Sequence, residues 1–434
     1  MKFNSITSKL LNSSLLGSSL KVLFIKILGV LLLFAVSLFL TNYFPPELVG
    51  QYDFVRTLLM IIGGLSVLGM DQSIIYYSGF FKSQNSMGSL RATYFKMLTL
   101  VLLASSILWV LNSLIPNDFI NELFNKPKAS LLFNKVILVL SFYAVTFLNI
   151  DMLRALNKTI LSELFRNIFR HLPFLFLAVY LVYNSNEAYL IDAYLWSFAS
   201  LALVSFIIIY RKFLKSKFEI KIDNLSYKTI FLKSYPMAIS ALSYFLMQSI
   251  DVLLLAKYST FDNVAFYAIA VKLSTISTLA LLSINIIAGP KIAEFYSSNS
   301  IEKLRSLLQN SNRLILVLTL PVLIVLSLFS EWILGLFGKE YIVAQSALLI
   351  LLGGQCFNFL LGPLGVYMNM TGKQNKLQRI LILGLLINVV LNIIYIPKYG
   401  MIGAASSTVV SMIIWKILAT LIIYRQDKTK TFIS

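Results

Sequence analysis

The sequence predicts an all-α integral membrane protein, with about twelve transmembrane helices arranged as two six-helix bundles. Three observations lead to this prediction. Of the 434 residues, 58% are hydrophobic and only 13% are charged, a composition too apolar for a soluble domain. Apolar runs as long as a bilayer is thick recur along the whole chain, and features of the first half return in the second half at a constant offset.

The apolar runs define the predicted spans in chain order. Their length is that of a membrane-spanning helix, and the connections between them are short. The first run follows a Ser-rich lead without a small-residue cleavage pattern, so we expect a retained span rather than a signal peptide. The predicted spans cover residues 21–43, 52–79, 91–114, 130–153, 160–183, 189–211, 232–257, 264–289, 312–330, 342–370, 377–396 and 401–424.

The net charge of +19 follows the topology of these spans. Most Lys and Arg residues fall in the even-numbered connections and in the two termini, which is the positive-inside pattern. We therefore expect a multi-pass protein with both termini in the cytoplasm. Topology and attraction to anionic inner-leaflet lipids account for the charge, so no nucleic-acid partner is expected.

An internal repeat relates the two halves. Tyr52 is matched by Tyr267, and Lys158 by Lys373, both at an offset of 215 residues. One offset that recurs in separated regions is the signature of a duplicated unit. Six spans per half is an even number, so the halves have the same orientation and form a parallel repeat, whose bundles can rock about a central cavity.

The predicted domain organisation follows from this repeat. An N-terminal six-helix bundle spans residues 1–214, a basic cytoplasmic linker spans 215–231, and a C-terminal six-helix bundle spans 232–434. No large soluble domain is expected on either side of the membrane.

Catalytic and metal-binding constellations are absent from the sequence. It contains no Ser/His/Asp set, no paired carboxylates in a loop and no Gly-rich phosphate loop. Cys356 is the single cysteine and His171 the single histidine, so a His or Cys metal cluster is not expected. We therefore predict a protein that is not an enzyme and holds no metal or other resident cofactor.

A few ionisable side chains lie inside the predicted spans, where a charge is costly and marks function. Arg56 (span two), Lys272 (span eight), Lys135 (span four) and Asp251 (span seven) fall at similar depths below the outer surface, whereas Lys416 (span twelve) lies nearer the inner half. If the first four side chains face one cavity, they form a site of three cations and one anion. Such a site suits a phosphate-bearing ligand.

Several of these residues are also compatible with a different role. The flexible stems of Lys135 and Lys416 can carry their charges to an interface instead of to a substrate. Asp251 is either an ion-coupling carboxylate or the counter-ion of a neighbouring cation. Tyr52 and Tyr267 begin their helices where aromatic anchors at the outer membrane interface are common.

Span eleven carries a polar series, Gly384, Asn388 and Asn392, at intervals of four residues. This spacing places all three on one helical face. We expect that face to pack against protein rather than lipid.

Four motifs together resemble one known family. They are PPELVGQYDFVRTLLMI after span one, SIDVLLLAKYSTFDNVAFYAIAVKL across spans seven and eight, LFGKEYIVAQSALLILLGG entering span ten, and MTGKQNKLQRILILGLLINVVLNIIYIPKYGMIGAASSTVVSMI near the end. The chain resembles the bacterial polysaccharide repeat-unit flippases, which belong to the multidrug, oligosaccharidyl-lipid and polysaccharide (MOP) exporter superfamily. The likeness covers nearly the whole chain.

This resemblance implies a fold and a function. The fold is two six-helix bundles around a central cavity, as in multidrug exporters of the superfamily. The function is translocation of undecaprenyl-pyrophosphate-linked oligosaccharide to the outer leaflet of the bacterial cytoplasmic membrane, for O-antigen, capsule or exopolysaccharide synthesis. Cations in the second and eighth spans of related flippases are associated with the pyrophosphate, and Arg56 and Lys272 occupy those spans here.

The resemblance also implies partners and a coupling ion. A polysaccharide polymerase and a chain-length regulator would act on the same glycan, and membrane lipids would surround the protein. A proton or a sodium ion exchanged at Asp251 is one way to reset the transport cycle. Lipid II flippases of the superfamily usually carry further arginines in span one, and this span has none, which argues against a peptidoglycan precursor.

Two alternative functions fit the sequence less well. A cation-coupled multidrug exporter of the same superfamily would need an acidic cavity for cationic compounds, whereas the ionisable layer here is mainly basic. A membrane glycan polymerase or ligase would need a large outer loop with catalytic charges. The longest outer connection, NSLIPNDFINELFNKPKAS, is too short for that.

Overall fold

The computed structural model describes residues 14–83, 87–215, 225–298 and 300–427. Within these ranges the chain forms helices joined by short connections, and no strand occurs. The all-α membrane class predicted from the sequence is confirmed. Most of the predicted linker 215–231 lies outside the described residues.

The chain divides into two compact units. One contains Met1–Leu40 and Leu58–Leu242, and the other contains Thr41–Thr57 and Ser243–Ser434. We call them the first and the second unit. The segment that carries Arg56 therefore belongs to the same compact unit as most of the second half of the chain.

The helices of the first half of the chain include a π-helical stretch at Phe165–Phe169 and a short 3-10 turn at Glu187–Tyr189. Their bounds are α1 Ser14–Tyr43, α2 Pro46–Val67, α3 Met70–Ser83, α4 Met87–Ser113, α5 Asn117–Phe124, α6 Ala129–Ala155, α7 Thr159–Leu164, α8 Leu172–Tyr183 and α9 Leu190–Lys215.

The helices of the second half include a 3-10 stretch at Lys339–Ala344. Their bounds are α10 Tyr227–Tyr258, α11 Phe261–Ile276, α12 Leu279–Ser297, α13 Ile301–Leu328, α14 Ser330–Gly335, α15 Gln345–Leu360, α16 Leu364–Met370 and α17 Gln374–Asp427.

Nine helices in the described part of the chain are long and apolar enough to cross a membrane, or ten if the bent pair α11 and α12 counts as one span. This count treats α17 as a single element, although its 54 residues include both of the last two predicted spans. Gly400 separates those spans, because its backbone (φ 54°, ψ −127°) is not helical. Glycine alone tolerates such a conformation at little cost.

The second predicted span, 52–79, is not one continuous helix. Leu68 and Gly69 both adopt positive φ angles, 54° and 72°, and separate α2 from α3. A side chain on Gly69 would collide with the backbone carbonyl oxygen of Ser234. The break thus lets the first part of α10, which belongs to the same unit, pack closely against it. Hydropathy along the chain predicts where a span lies, and it does not report where the backbone turns within it.

The internal repeat is visible in the backbone. Asn157 and Gly372, which are 215 residues apart, both adopt positive φ angles, 60° and 75°. In each case the next residue, a lysine, donates its backbone N–H to a carbonyl five residues earlier: Lys158 to Leu153 at 2.9 Å, and Lys373 to Met368 at 2.8 Å. These are Schellman turns that end a helix. The same turn at the same offset supports the duplication inferred from the sequence.

Candidate functional site

One charged cluster of the second unit consists of three side chains: Asp53 and Arg56 on α2, and Lys272 on α11. The Lys272 Nζ lies 2.9 Å from Asp53 Oδ1 and 3.0 Å from Oδ2. The Arg56 Nη1 lies 3.4 Å from the same Oδ1. Arg56 and Lys272, two of the four cations that the sequence singled out, therefore meet on one carboxylate, which the sequence analysis did not name.

A close approach of α2 and α11 brings these groups together. A Cβ on Gly50 would overlap the backbone carbonyl of Phe261, so only glycine allows this spacing. One turn further on, the rings of Phe54 and Phe261 meet edge to face with centroids 5.6 Å apart. The helix pair is thus held at a distance at which Lys272 reaches Asp53.

The cluster is largely, but not fully, shielded from the surroundings. The side chain of Asp53 is 1% exposed, that of Lys272 10% and that of Arg56 22%. The ring of Tyr52 lies 5.9 Å from the Lys272 Nζ, close enough for a cation–π contact. One carboxylate and two cations sum to a charge of +1, and Arg56 is the most accessible of the three side chains.

The tight spacing at Gly50 leads to a stability prediction. Gly50→Ala is expected to destabilise the protein by about 1–3 kcal/mol, because the added methyl group pushes α11 away from α2. The expected readout is a lower thermal unfolding temperature in detergent. Gly64→Ala in the same helix is the matched control, because a Cβ there meets no atom within 4 Å. Equal unfolding temperatures for the two variants would contradict the prediction.

A second polar network in the same unit surrounds Asp251 on α10. Its carboxylate accepts hydrogen bonds from the Tyr267 hydroxyl at 2.5 Å and the Thr408 hydroxyl at 3.1 Å. The backbone N–H of Val252 donates to it at 2.9 Å. Asp251 is 1% exposed, and no cation pairs with it within the described ranges, so a role as a counter-ion finds no support there.

This network continues through span eleven. The Asn388 amide donates to the Ser411 hydroxyl at 3.0 Å and lies 3.5 Å from the Thr408 hydroxyl. Asn392 donates to Asn388 Oδ1 at 2.9 Å. Both asparagines are fully buried, so this face packs against protein as expected. The Asn392 Oδ1 is buried and accepts no hydrogen bond from the described groups.

Tyr52 and Tyr267, the aromatic pair at the repeat positions, contact these two groups of charged and polar side chains. Tyr267 is fully buried and its hydroxyl binds Asp251, so the expectation that it anchors the protein at the membrane interface is wrong. Tyr52 is 2% exposed and lies beside Lys272, so the same expectation is wrong for it. The sequence did contain a signal for this buried placement, because both tyrosines lie close to an intramembrane charge and occupy matching positions of the repeat.

Lys135 belongs to the first unit. Its Nζ pairs with Asp192 Oδ2 at 2.7 Å, and both side chains are about one-third exposed, 32% and 30%. The structure therefore provides Lys135 with a carboxylate partner on α9.

Lys416 on α17 is 4% exposed. Its Nζ donates to the backbone carbonyl of Gly362 at 3.2 Å, in the break between α15 and α16, and lies 4.9 Å from the Trp415 ring centroid. Among the described residues no carboxylate forms an ion pair with it. Lys416 therefore binds the connection between α15 and α16, and the described contacts do not include it in the Asp53 cluster.

Residues 236–394 match the family model MatE. Over this segment, which is less than half of the chain, the protein is similar to the MatE family. This match confirms the exporter superfamily predicted from the motifs. The matched segment contains Asp251, Lys272, Asn388 and Asn392, whereas Asp53 and Arg56 lie outside it.

The chain is also similar to a relative whose name states a function. The probable low-salt glycan biosynthesis flippase Agl15 of Haloferax volcanii is 24% identical over 207 residues, which are 47% of this chain and 44% of the relative. The chain thus spans less than half the length of the curated relative that it matches.

Solved structures resemble the whole chain. A lipid II flippase MurJ in an inward closed conformation has a TM-score of 0.73 and 16% identity, covering 93% of this chain and 87% of that chain. An inward-facing multidrug resistance MATE family transporter of the MOP superfamily also has a TM-score of 0.73 and 16% identity, covering 95% and 99%. At this identity the likeness is one of fold.

Proposed function

We propose that the protein is a flippase that moves a polyprenyl-diphosphate-linked oligosaccharide across the membrane. The observation that carries this proposal is the meeting of Arg56 and Lys272 on a single buried carboxylate, with a net charge of +1. Ionisable groups are rarely placed in membrane-spanning helices without a function. The glycan flippase relative and the lipid II flippase fold support the same substrate class.

A diphosphate fits this cluster chemically. Its oxygens accept charge-assisted hydrogen bonds from both cations, and a planar guanidinium can bind two phosphate oxygens at once. Arg56, with its greater exposure, would make the first contact, and Lys272 would follow. The oligosaccharide would meet neutral polar groups, and the polyprenyl chain would stay in the bilayer.

The direction of transport follows from charge. The diphosphate would enter from the cytoplasmic side and leave toward the outer leaflet, in a cell whose interior is negative. Outward movement of an anion is favoured by about 2.3 kcal/mol per charge per 100 mV. The membrane potential therefore favours outward movement of the diphosphate.

We propose that the return step uses a second ion, for which the Asp251 network is suited. It holds a buried carboxylate that accepts a hydrogen bond from the Thr408 hydroxyl, and it continues through Asn388 to Asn392. Oxygen ligands of this kind bind a hard cation such as sodium, and the carboxylate alone can take a proton. We propose that a cation entering at Asp251 resets the transporter.

A cation-coupled multidrug exporter is the second candidate, because a transporter of that kind shares the fold. In that case Asp251 would attract a cationic compound. The carboxylate is, however, buried and already hydrogen-bonded to two hydroxyl groups. Drug-sensitivity profiling of cells that express the chain separates the candidates, since the flippase proposal predicts no change in drug tolerance.

Reconstitution tests the proposal directly. In proteoliposomes that contain a fluorescent polyprenyl-diphosphate oligosaccharide, the wild-type protein is expected to make the inner-leaflet pool accessible to a membrane-impermeant quencher. Protein-free vesicles and vesicles with the same lipid as a glycosyl-monophosphate serve as controls. Equal rates for protein and protein-free vesicles would refute a flippase of this substrate class.

Lys272→Gln removes the cation that lies closer to Asp53. We expect at least a tenfold loss of affinity for inorganic pyrophosphate, because one of two charge-assisted partners is removed, about 1.4 kcal/mol or more. Binding is measured by calorimetry on the detergent-solubilised chain. Lys398→Gln, an exposed lysine in the same unit, is the control and should bind as the wild type does. Unchanged affinity in Lys272→Gln would place the diphosphate elsewhere.

A further inference from the structure

The carboxylate of Asp53 occupies the position where the two cations of the site converge. Its Oδ1 is shared between Lys272 Nζ and Arg56 Nη1, and its Oδ2 also faces Lys272. The side chain is 1% exposed. An incoming anion that binds both cations must therefore either displace this carboxylate or lie against it.

We propose that Asp53 is a built-in substitute for the anionic group of the substrate, which holds Arg56 and Lys272 between transport cycles and exchanges with the diphosphate during each one. This inference rests on the proposed function, because it assigns a regulatory residue to the same site. Asp53 is a positioning residue in this scheme: it acts on the substrate through the two cations.

The geometry of the two contacts is unequal, which makes exchange feasible. Lys272 lies 2.9–3.0 Å from both carboxylate oxygens, the usual distance for a charged hydrogen bond. Arg56 touches one oxygen at 3.4 Å, and well-formed arginine–carboxylate pairs are shorter and bidentate. The guanidinium is also the most exposed of the three side chains. Arg56 can thus turn to an incoming phosphate first while Lys272 still holds Asp53.

The charge balance shows why a transporter would keep this carboxylate. With Asp53 ionised the cluster carries +1, and without that charge it would carry +2 and hold a diphosphate more tightly. A carrier must release its cargo in every cycle, so tight ground-state binding slows turnover. Asp53 weakens binding and returns to the cations at the moment of release, so that Lys272 is not left without its carboxylate in a buried site.

Two substitutions at Asp53 separate exchange from simple structural support. Asp53→Asn removes the charge at nearly constant shape, and Asp53→Glu keeps the charge. We expect Asp53→Asn to bind inorganic pyrophosphate at least tenfold more tightly than the wild type, but to flip the lipid at least tenfold more slowly. Asp53→Glu should lie within about threefold of the wild type in affinity. Asp118→Asn, an exposed carboxylate on α5, is the control and should change neither quantity.

A double variant keeps the test informative if Asp53→Asn alone misfolds. Asp53→Asn leaves Lys272 buried without its partner, which is costly, whereas Asp53→Asn/Lys272→Gln removes both partners together. If Asp53 competes with the substrate, the double variant binds pyrophosphate more tightly than Lys272→Gln alone, because Arg56 is then released from competition.

The outcomes distinguish this inference from the function on which it rests. Weaker or unchanged pyrophosphate binding in folded Asp53→Asn, or in the double variant relative to Lys272→Gln, overturns the exchange role and leaves the diphosphate site standing. If Arg56→Gln and Lys272→Gln bind pyrophosphate as the wild type does, the site itself is wrong, whatever Asp53 does.

Discussion

Reversing both cations, in Arg56→Glu/Lys272→Glu, is expected to reduce lipid flipping in proteoliposomes to the protein-free rate. Asp53 would then face two carboxylates instead of two cations, and at 4 Å each like-charge pair costs about 4 kcal/mol at an effective dielectric constant of 20. A diphosphate would meet three negative charges in place of a net positive one. The double reversal therefore turns an attractive site into a strongly repulsive one.

The control for charge reversal is Lys339→Glu/Lys398→Glu, which makes the same change at two exposed lysines of the second unit. It should flip lipid at the wild-type rate. Both double variants must insert into the membrane and elute as single species from a sizing column. Wild-type flipping by a well-folded Arg56→Glu/Lys272→Glu would show that the cluster does not bind the substrate.

The second large effect is expected at Asp251. Asp251→Asn should abolish the stimulation of flipping by a proton or sodium gradient, leaving the rate that the wild type shows without any gradient. An amide can still hydrogen-bond to Tyr267 and Thr408, but it has no charge to exchange for a cation. The measurement is the flipping rate in vesicles with imposed proton or sodium gradients, one ion at a time.

Thr408→Val distinguishes the two ions in that experiment. The Thr408 hydroxyl lies 3.1 Å from the Asp251 carboxylate, and it would be a ligand of a bound sodium ion but is not needed to carry a proton. Loss of sodium stimulation in both variants indicates a sodium site. Loss in Asp251→Asn alone indicates a proton, and stimulation retained in Asp251→Asn would exclude Asp251 as the coupling group.

Asp53 shows how far local sequence patterns lead to the candidate site. Its carboxylate lies three residues before Arg56 on the same helix, a spacing at which side chains meet. That spacing was the only local signal, and the intramembrane cations are the more conspicuous feature of the sequence. The contact with Lys272 spans 219 residues of sequence, so it could not be found from either helix alone.

The helix breaks are a second feature that local sequence patterns did not predict. Hydropathy predicted a single span over 52–79, yet Leu68 and Gly69 interrupt it. Apolar composition reports that a segment lies in lipid or in a core, and it does not report whether the backbone turns there. The repeat was easier to recognise, because Asn157 and Gly372 end equivalent helices with the same local turn.

By itself, the sequence determined that this protein is helical and membrane-embedded, and that Arg56, Lys272, Asp251 and Lys416 are charged groups in apolar surroundings; it also predicted an internal repeat. Those properties depend on composition and periodicity, which act locally along the chain. Only the tertiary structure decided the partners: Asp53 for Arg56 and Lys272, Tyr267 and Thr408 for Asp251, and the Gly362 carbonyl for Lys416. Partner choice depends on how closely helices approach, and that distance is set by contacts such as Gly50 against Phe261, between residues far apart in sequence.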